Sequence, residues 1–192
     1  MLAVAAALFA GALAGAPAAG QPGGSRLVHD PADRFTIAVP ASWNVRTSSG
    51  DPAVVATGPP RTGELPETVN VIARDTVVGI SSENCVREAA RVMRVFGHIE
   101  FATVSQGPTT VGDLAGYTHA YTWRTKDGEE RWSLQVCVVM NREAFVMTGT
   151  TTNTATRVEE DAPLLTKIMG TFRLTARGRE SAPAPQPGGD RR

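Results

Sequence analysis

Two cysteines are the residues of this chain whose chemistry depends most on where they sit. Cys85 and Cys137 form an even pair with no thiol left over, and in an oxidising compartment such a pair invites a disulfide. Closing a loop of about fifty residues would stabilise the fold by roughly 4 kcal/mol on the chain-entropy account, although delivered values are often lower. The alternative is two small buried apolar side chains. A redox role is weaker than either, because no C-x-x-C spacing is present. The three histidines, His29, His98 and His119, are scattered, and none has a second imidazole four residues away on one helical face. No metal site is expected from them.

Recognisable catalytic patterns are missing as well. The chain has no G-x-S-x-G, no H-E-x-x-H and no Walker-type glycine loop. The hydroxyl-rich run from Thr148 to Thr154 is better explained as a strand end leading into a helix cap than as a nucleophile. Glu129 and Glu130 border a hairpin turn, and Glu159, Glu160 and Asp161 open a helix, where carboxylates favour the positive end of the dipole. These features predict a chain without catalytic residues, metal or cofactor.

Two patterns could bind rather than react. Arg87, Arg91 and Arg94 fall within about 60° of one another on a helix, turned away from Val86, Ala90 and Met93. They are either a contact for an anion or acidic partner or an ordinary solvated face. Trp43, Tyr117, Tyr121, Trp123 and Trp132 could line an apolar groove between sheet and helix, each ring adding contact area and a polar tip. In a chain that is only 6% aromatic, the simpler account is that they are needed for the core.

The elements that must position these groups are legible from hydrophobic period. Phe35 to Val39 alternates and ends at Pro40, Trp43 to Thr47 follows, and Val54 to Thr57 and Val69 to Arg74 are further strands. Gly58 to Pro66 is an irregular loop. From Ser82 the period becomes helical through Val86, Ala89, Ala90, Met93 and Phe96, with Ser81 or Ser82 as cap and Gly97 as stop. Phe101 to Gln106 reads as a strand, and Ala115 to Thr125, Glu130 to Met140 and Glu143 to Thr151 form a meander turning at Lys126-Asp127-Gly128 and Asn141-Arg142. In its middle strand Trp132, Leu134, Val136, Val138 and Met140 should face the main core, and Ser133, Gln135, Cys137 and Val139 a more polar layer. A second helix from about Thr156 to Met169, with Pro163 near its start, leads into a closing strand at Phe172 to Leu174.

Residues 1–19, an uncharged Ala/Leu run ending at Ala16-Pro17-Ala18, read as an export signal cleaved after Ala18 or Ala19. Residues 20–27 follow as a linker, 28–175 as the domain, and 176–192 as a disordered Pro/Gly/Arg-rich tail. The domain is about 150 residues, enough for one core burying roughly 70% of the unfolded surface. No cysteine stands at the cleavage site to carry a lipid, so no stable membrane anchor is expected once the leader is removed. Lys+Arg and Asp+Glu are both 19, so no global field draws the chain to nucleic acid or an anionic membrane.

The phrase Phe35-Thr-Ile-Ala-Val-Pro40-Ala-Ser-Trp43 resembles the opening F-x-(I/V)-x-x-P-x-x-W of the PsbP/DcrB-like superfamily. The Val69-Asn-Val strand, the helix after Ser82, Gly116-Tyr117 before a Trp-containing hairpin, and the terminal helix running into Gly170-Thr-Phe172-Arg173 agree with that family in order. The resemblance implies an α+β fold, a twisted antiparallel sheet of about six or seven strands flanked by two main helices. It also implies a mostly non-enzymatic domain, exported to the periplasm or beyond. The expected role is a binding or adaptor domain contacting an envelope protein or an apolar ligand through its sheet face. A carrier or chaperone for hydrophobic molecules is the alternative, which a solvent-open apolar groove would favour. A hydrolase would need a carboxylate, a histidine and a hydroxyl gathered in one cleft.

Overall fold

Strict alternation in the latter half of the chain builds the larger of two sheets. In a computed structural model, which describes residues 24–77, 79–95 and 99–180, the elements are β1 Ser25–His29, β2 Phe35–Pro40, β3 Asn44–Thr47, β4 Val54–Thr57, β5 Thr68–Asp75, α1 Ser82–Val95, β6 Ile99–Val111, β7 Leu114–Arg124, β8 Glu130–Met140, β9 Glu143–Thr152, α2 Ala155–Gly170, β10 Arg173–Leu174 and α3 Ala176–Glu180. Seven strands pair antiparallel in the order β3-β4-β5-β9-β8-β7-β6, and three more form a small sheet, β1-β2-β10. The chain is therefore α+β, as its patterning indicates.

The meander is the centre of the large sheet because its turns are chemically suited to reverse the chain. Gly128 adopts φ +87° between β7 and β8, a left-handed value that glycine takes at no steric cost, and Asn141 adopts φ 57° between β8 and β9. A third reversal, Gly112-Asp113, joins β6 to β7, with Gly112 at φ 62°.

One face of the large sheet is sealed. Trp132, Val136 and Val138 of β8, Phe145 and Met147 of β9, and Val69 and Val71 of β5 all join the main core cluster. Onto them pack Leu165, Ile168 and Met169 of α2, together with Phe35, Ile37, Val39 and Phe172 from the small sheet and its approach. Phe35, Phe145 and Phe172 form an aromatic triangle, with centroids 5.2, 5.5 and 5.9 Å apart. Gly149 on β9 is small for a reason: a Cβ there would stand 3.0 Å from that of Leu165, where α2 crosses the sheet. Thr154 caps α2 by accepting from the Arg157 amide. Arg34 clamps the small sheet to the large one: it binds Asp30 through both carboxylate oxygens at 2.7 and 3.0 Å and donates to the Ala73 carbonyl. Burial alone would raise the Asp30 carboxyl, but Arg34 and the backbone amides hold it below the usual carboxylate range.

Four expectations change. Residues 25–27, expected as linker, belong to a strand, because Ser25 to His29 pairs along β2 from Pro40 back to Thr36. The strand from Phe35 is not part of the single sheet expected; it is the centre of a separate small one. The strand expected at Phe101 to Gln106 runs on through Gly107 and Pro108 to Val111, which an edge strand tolerates because one side of it needs no donor. Residues 176–180 form a short helix, with Gly178 buried against Arg34, so the tail is structured at its start. The leader, Phe96, Gly97, His98 and residues 181–192 lie outside the described residues. No described helix is long and apolar enough to cross a membrane.

Candidate functional site

The opposite face of the large sheet has a different chemistry, and cross-strand register shows how far it extends. Asn44, Thr57, Thr68, Thr150, Ser133, Tyr121 and Thr103 stand opposite one another in turn, so every strand contributes a hydroxyl or amide to one row. The adjacent row is Arg46, Val55, Asn70, Thr148, Gln135, His119 and Gln106. Both rows are open at the β3–β5 end, where Asn44 and Arg46 are exposed and Thr57, Thr68 and Asn70 half-buried. In the middle Ser133, Gln135, Thr148, Thr150, His119 and Tyr121 are buried.

Most of these buried polar groups satisfy one another. Ser133 Oγ and Thr150 Oγ1 are 2.9 Å apart, Trp123 Nε1 donates to Ser133 Oγ at 3.0 Å, and Gln135 Nε2 donates to Thr148 Oγ1 at 3.2 Å. His119 Nε2 pairs with Thr103 Oγ1 at 2.9 Å. Three atoms are left without a hydrogen bond: His119 Nδ1, the Tyr121 hydroxyl, which has the Ser133 side chain as neighbour, and Gln135 Oε1. Burial disfavours both ionised forms, pushing the His119 imidazole down, with Arg94 adding to the effect, and the Tyr121 hydroxyl up to about 12. This floor is uncharged at neutral pH.

Helix α1 covers part of the floor. Ser81 Oγ accepts from the Asn84 amide at its start, and the Cys85–Cys137 disulfide, spanning 52 residues, joins its first turns to β8. Cys85, Val86, Cys137 and Ala144 form a second, smaller core with Tyr117, Val139 and Val146 packed against it. Of the two readings of the cysteines, the bridge is the one present.

The basic stripe is largely neutralised within its own helix. Arg87 pairs with Glu83 at 2.5 Å and Arg91 with Glu88 at 2.6 Å, while the Arg94 guanidinium lies 4.5 Å from the Phe101 ring centroid. The five aromatic residues do not share a groove. Trp43 and Trp132 belong to the sealed core, whereas Tyr117, Tyr121 and Trp123 stand opposite Cys137, Ser133 and Arg131 on the α1 side. Even and odd positions of adjacent strands separate them, which composition alone does not reveal.

A second polar assembly was not legible in the sequence. The Gly58 to Pro66 loop is fastened to α2 by a buried ionic cluster: Glu67 pairs with Arg61 and, at 3.0 Å, with Arg157, and Asp161 takes Arg61 at 3.4 Å and the Thr151 hydroxyl at 2.5 Å. Burial, with Asp161 and Glu64 nearby, pushes the Glu67 carboxyl up. Glu159, Glu160 and Asp161 as a mere helix start gave no sign of it, since the partners Arg61 and Glu67 lie in a loop far away in sequence. Beside this cluster is a cleft of about 270 Å³, bordered by Glu64, Leu65, Glu129, Glu130, Arg131 and Asn153, and next to it one of about 110 Å³ at Trp123 and Arg124. Both are polar. Arg131 is buried, donates to the Pro66 carbonyl at 3.4 Å, and is lowered in pKa by that burial.

The chain matches no protein-family model and no curated protein. Its fold does have solved counterparts. The solution structure of cyanobacterial PsbP (CyanoP) from Synechocystis sp. PCC 6803 is 15% identical and superposes with TM-score 0.59 over 85% of this chain and 100% of that one. The crystal structure of LpqN, described as involved in cell envelope biogenesis of Mycobacterium tuberculosis, is 18% identical with TM-score 0.54, over 79% of this chain and 91% of that one. A Pseudomonas aeruginosa protein of unknown function, PA94, described as a putative regulator, is 13% identical with TM-score 0.51, over 85% of this chain and 100% of that one. The phrase from Phe35 to Trp43, the meander and the two helices thus belong to a PsbP-like α+β fold, as the PsbP/DcrB-like resemblance implies.

Proposed function

We propose that this chain is an exported, non-catalytic binding domain that meets its ligand or partner protein on the polar face of the large sheet. The observation that carries this reading is the contrast in use of the two faces: one is filled by α2 and the small sheet, and the other presents two polar rows with three unsatisfied buried atoms. A fold that needed this face only for stability would cover it with apolar side chains, because each unpaired buried polar atom costs about 1–3 kcal/mol. Export is supported by the Cys85–Cys137 disulfide, which persists in oxidising compartments, and by the leader-like residues 1–19.

The absence of catalysis belongs to the same proposal. His119 has a hydroxyl partner in Thr103, but its Nδ1 meets no carboxylate to orient the ring as catalytic triads require. A hydrophobic carrier role draws less support, since the apolar side chains of the large sheet are closed under α2.

The test is capture from cell-envelope extracts by the disulfide-intact protein, by Thr68→Arg and Asn70→Arg on the open end of the polar face, and by Glu159→Arg on the exposed side of α2. Proteins or small molecules retained by the unaltered chain and Glu159→Arg, but lost by both face variants, support the reading. Retention by all four contradicts it.

A further inference from the structure

We infer that the floor at His119, Tyr121 and Gln135 is a binding site for a small, uncharged, flat ring carrying both a hydrogen-bond donor and an acceptor, and that the Phe101 ring is the plug such a ligand displaces. This inference rests on the binding reading above and names the ligand class and the gate.

The three unsatisfied atoms belong to neighbouring side chains. His119 and Gln135 are direct cross-strand partners, Tyr121 lies two residues along on the same face, and the His119 and Tyr121 rings are 5.1 Å apart. Exposure of the three residues is 3%, 1% and 0%, so water at the surface does not reach them. Elsewhere among the described residues, the buried side-chain atoms without hydrogen bonds are Arg124 Nε, Glu143 Oε2 and Arg157 Nε, each on a group whose charge is met by an ion pair. At His119, Tyr121 and Gln135 no charge compensates. The unmet atoms themselves define the complement: Gln135 Oε1 only accepts, the tyrosine hydroxyl can donate, and the imidazole Nδ1 takes whichever role its tautomer leaves. A charged ligand would lose its hydration against a neutral floor, so the occupant is neutral.

Phe101 has the position and the freedom of a plug. The β6–β7 register shifts between Ile99 and Ala102, which leaves Phe101 on an irregular stretch rather than in the ladder. Its ring stacks on Tyr121 at 4.5 Å with planes 21° apart and lies 5.7 Å from His119. A ligand ring taking that position would stack on the same tyrosine and present its edge to the unmet polar atoms. The cover above is fastened more firmly at its disulfide end than at its far end. The buried residues of α1 are Cys85, Val86 and Ala90, Ser82 accepts from the Val139 amide, and beyond Ala90 Val92 and Met93 are half-buried while Arg91, Arg94 and Val95 are exposed, with Arg94 resting on Phe101. Opening therefore hinges about the disulfide and moves the end that touches the plug.

Three probes separate the chemistry: benzamide, a neutral flat ring with donor and acceptor; toluene, the same shape without hydrogen bonding; and benzoate, its anion. Each is titrated at pH 7 into the disulfide-intact protein while NMR follows the His119, Tyr121, Gln135 and Phe101 side chains. The expected result is saturable shifts at these residues with benzamide, and binding about tenfold weaker for toluene and benzoate, the loss of roughly one or two net hydrogen bonds. Phe101→Ala, or Phe101→Leu if the alanine variant does not fold, should tighten benzamide about fivefold because the plug no longer competes. Tyr121→Phe should weaken it about fivefold. Toluene or benzoate binding as tightly as benzamide, no tightening in the Phe101 variants, or no shift with any probe would overturn the inference. Shifts confined to Thr57, Thr68 and Asn70 would overturn this site while leaving the wider binding reading intact.

Discussion

The two faces of the large sheet are built from the same strands and differ in every property that matters for function. Under α2 and the small sheet, alternate side chains are aliphatic or aromatic, and α2 is buried from Arg157 to Met169. Under α1, a small apolar core around Cys137, Val139, Ala144 and Val146 adjoins hydroxyls, amides and an imidazole, and the helix is fully buried only as far as Ala90, with Val92 and Met93 half-buried. The period-two geometry of a strand makes this division possible: one sequence writes two independent surfaces, one devoted to stability and the other free to carry a site.

The largest effect expected from that comparison is on the apolar face. Phe145→Ala removes a fully buried ring from the aromatic triangle and should cost about 3–5 kcal/mol in denaturant unfolding. A loss below about 1 kcal/mol would mean that this face is not the one holding the fold. Next in size is the tether. Cys85→Ser, by opening a 52-residue loop, should cost about 2–4 kcal/mol and raise amide exchange in α1 before any change in α2.

A pH titration sharpens the contrast on the polar side. Tyr121 keeps its proton in the folded state up to about 12, against an unfolded value of 10.0, because its hydroxyl is buried. The associated stability is fully present below pH 10 and is lost as pH rises through about 12, a loss of about 3 kcal/mol that Tyr121→Phe should not show. His119 is shifted the other way: its lowered folded value means stability present above its unfolded value of 6.5 is lost as pH falls through the folded one. Comparing the protein with His119→Gln in mild acid checks that sign. The smallest effect is expected at neutral pH. Tyr121→Phe removes a buried hydroxyl whose polar neighbour is the Ser133 side chain and should change stability by less than about 1 kcal/mol.

Much of this was legible in the sequence wherever local pattern decides structure. Alternation from Trp132 to Met140 located both faces of β8, and the helical period from Ser82 located α1, because side-chain direction follows from backbone period alone. The partition of β2 and β10 into a separate sheet was not legible, since Phe35 to Val39 alternates whichever strand it pairs with. The site was only half visible. Ser133 and Gln135 marked a polar layer, but the row from Asn44 to Thr103 exists only once register aligns seven strands. The five aromatic residues could not be divided between core and polar face for the same reason, because ring count carries no information about which face each ring occupies.

The account stands on α1 being a movable cover and α2 a permanent one. Native-state hydrogen exchange, with the disulfide intact, measures this directly by comparing amides of Ala89 to Val95 with those of Leu164 to Gly170. The account predicts that the first group exchanges through openings several kcal/mol below global unfolding, while the second exchanges only with the whole molecule. Equal protection in the two helices would contradict it.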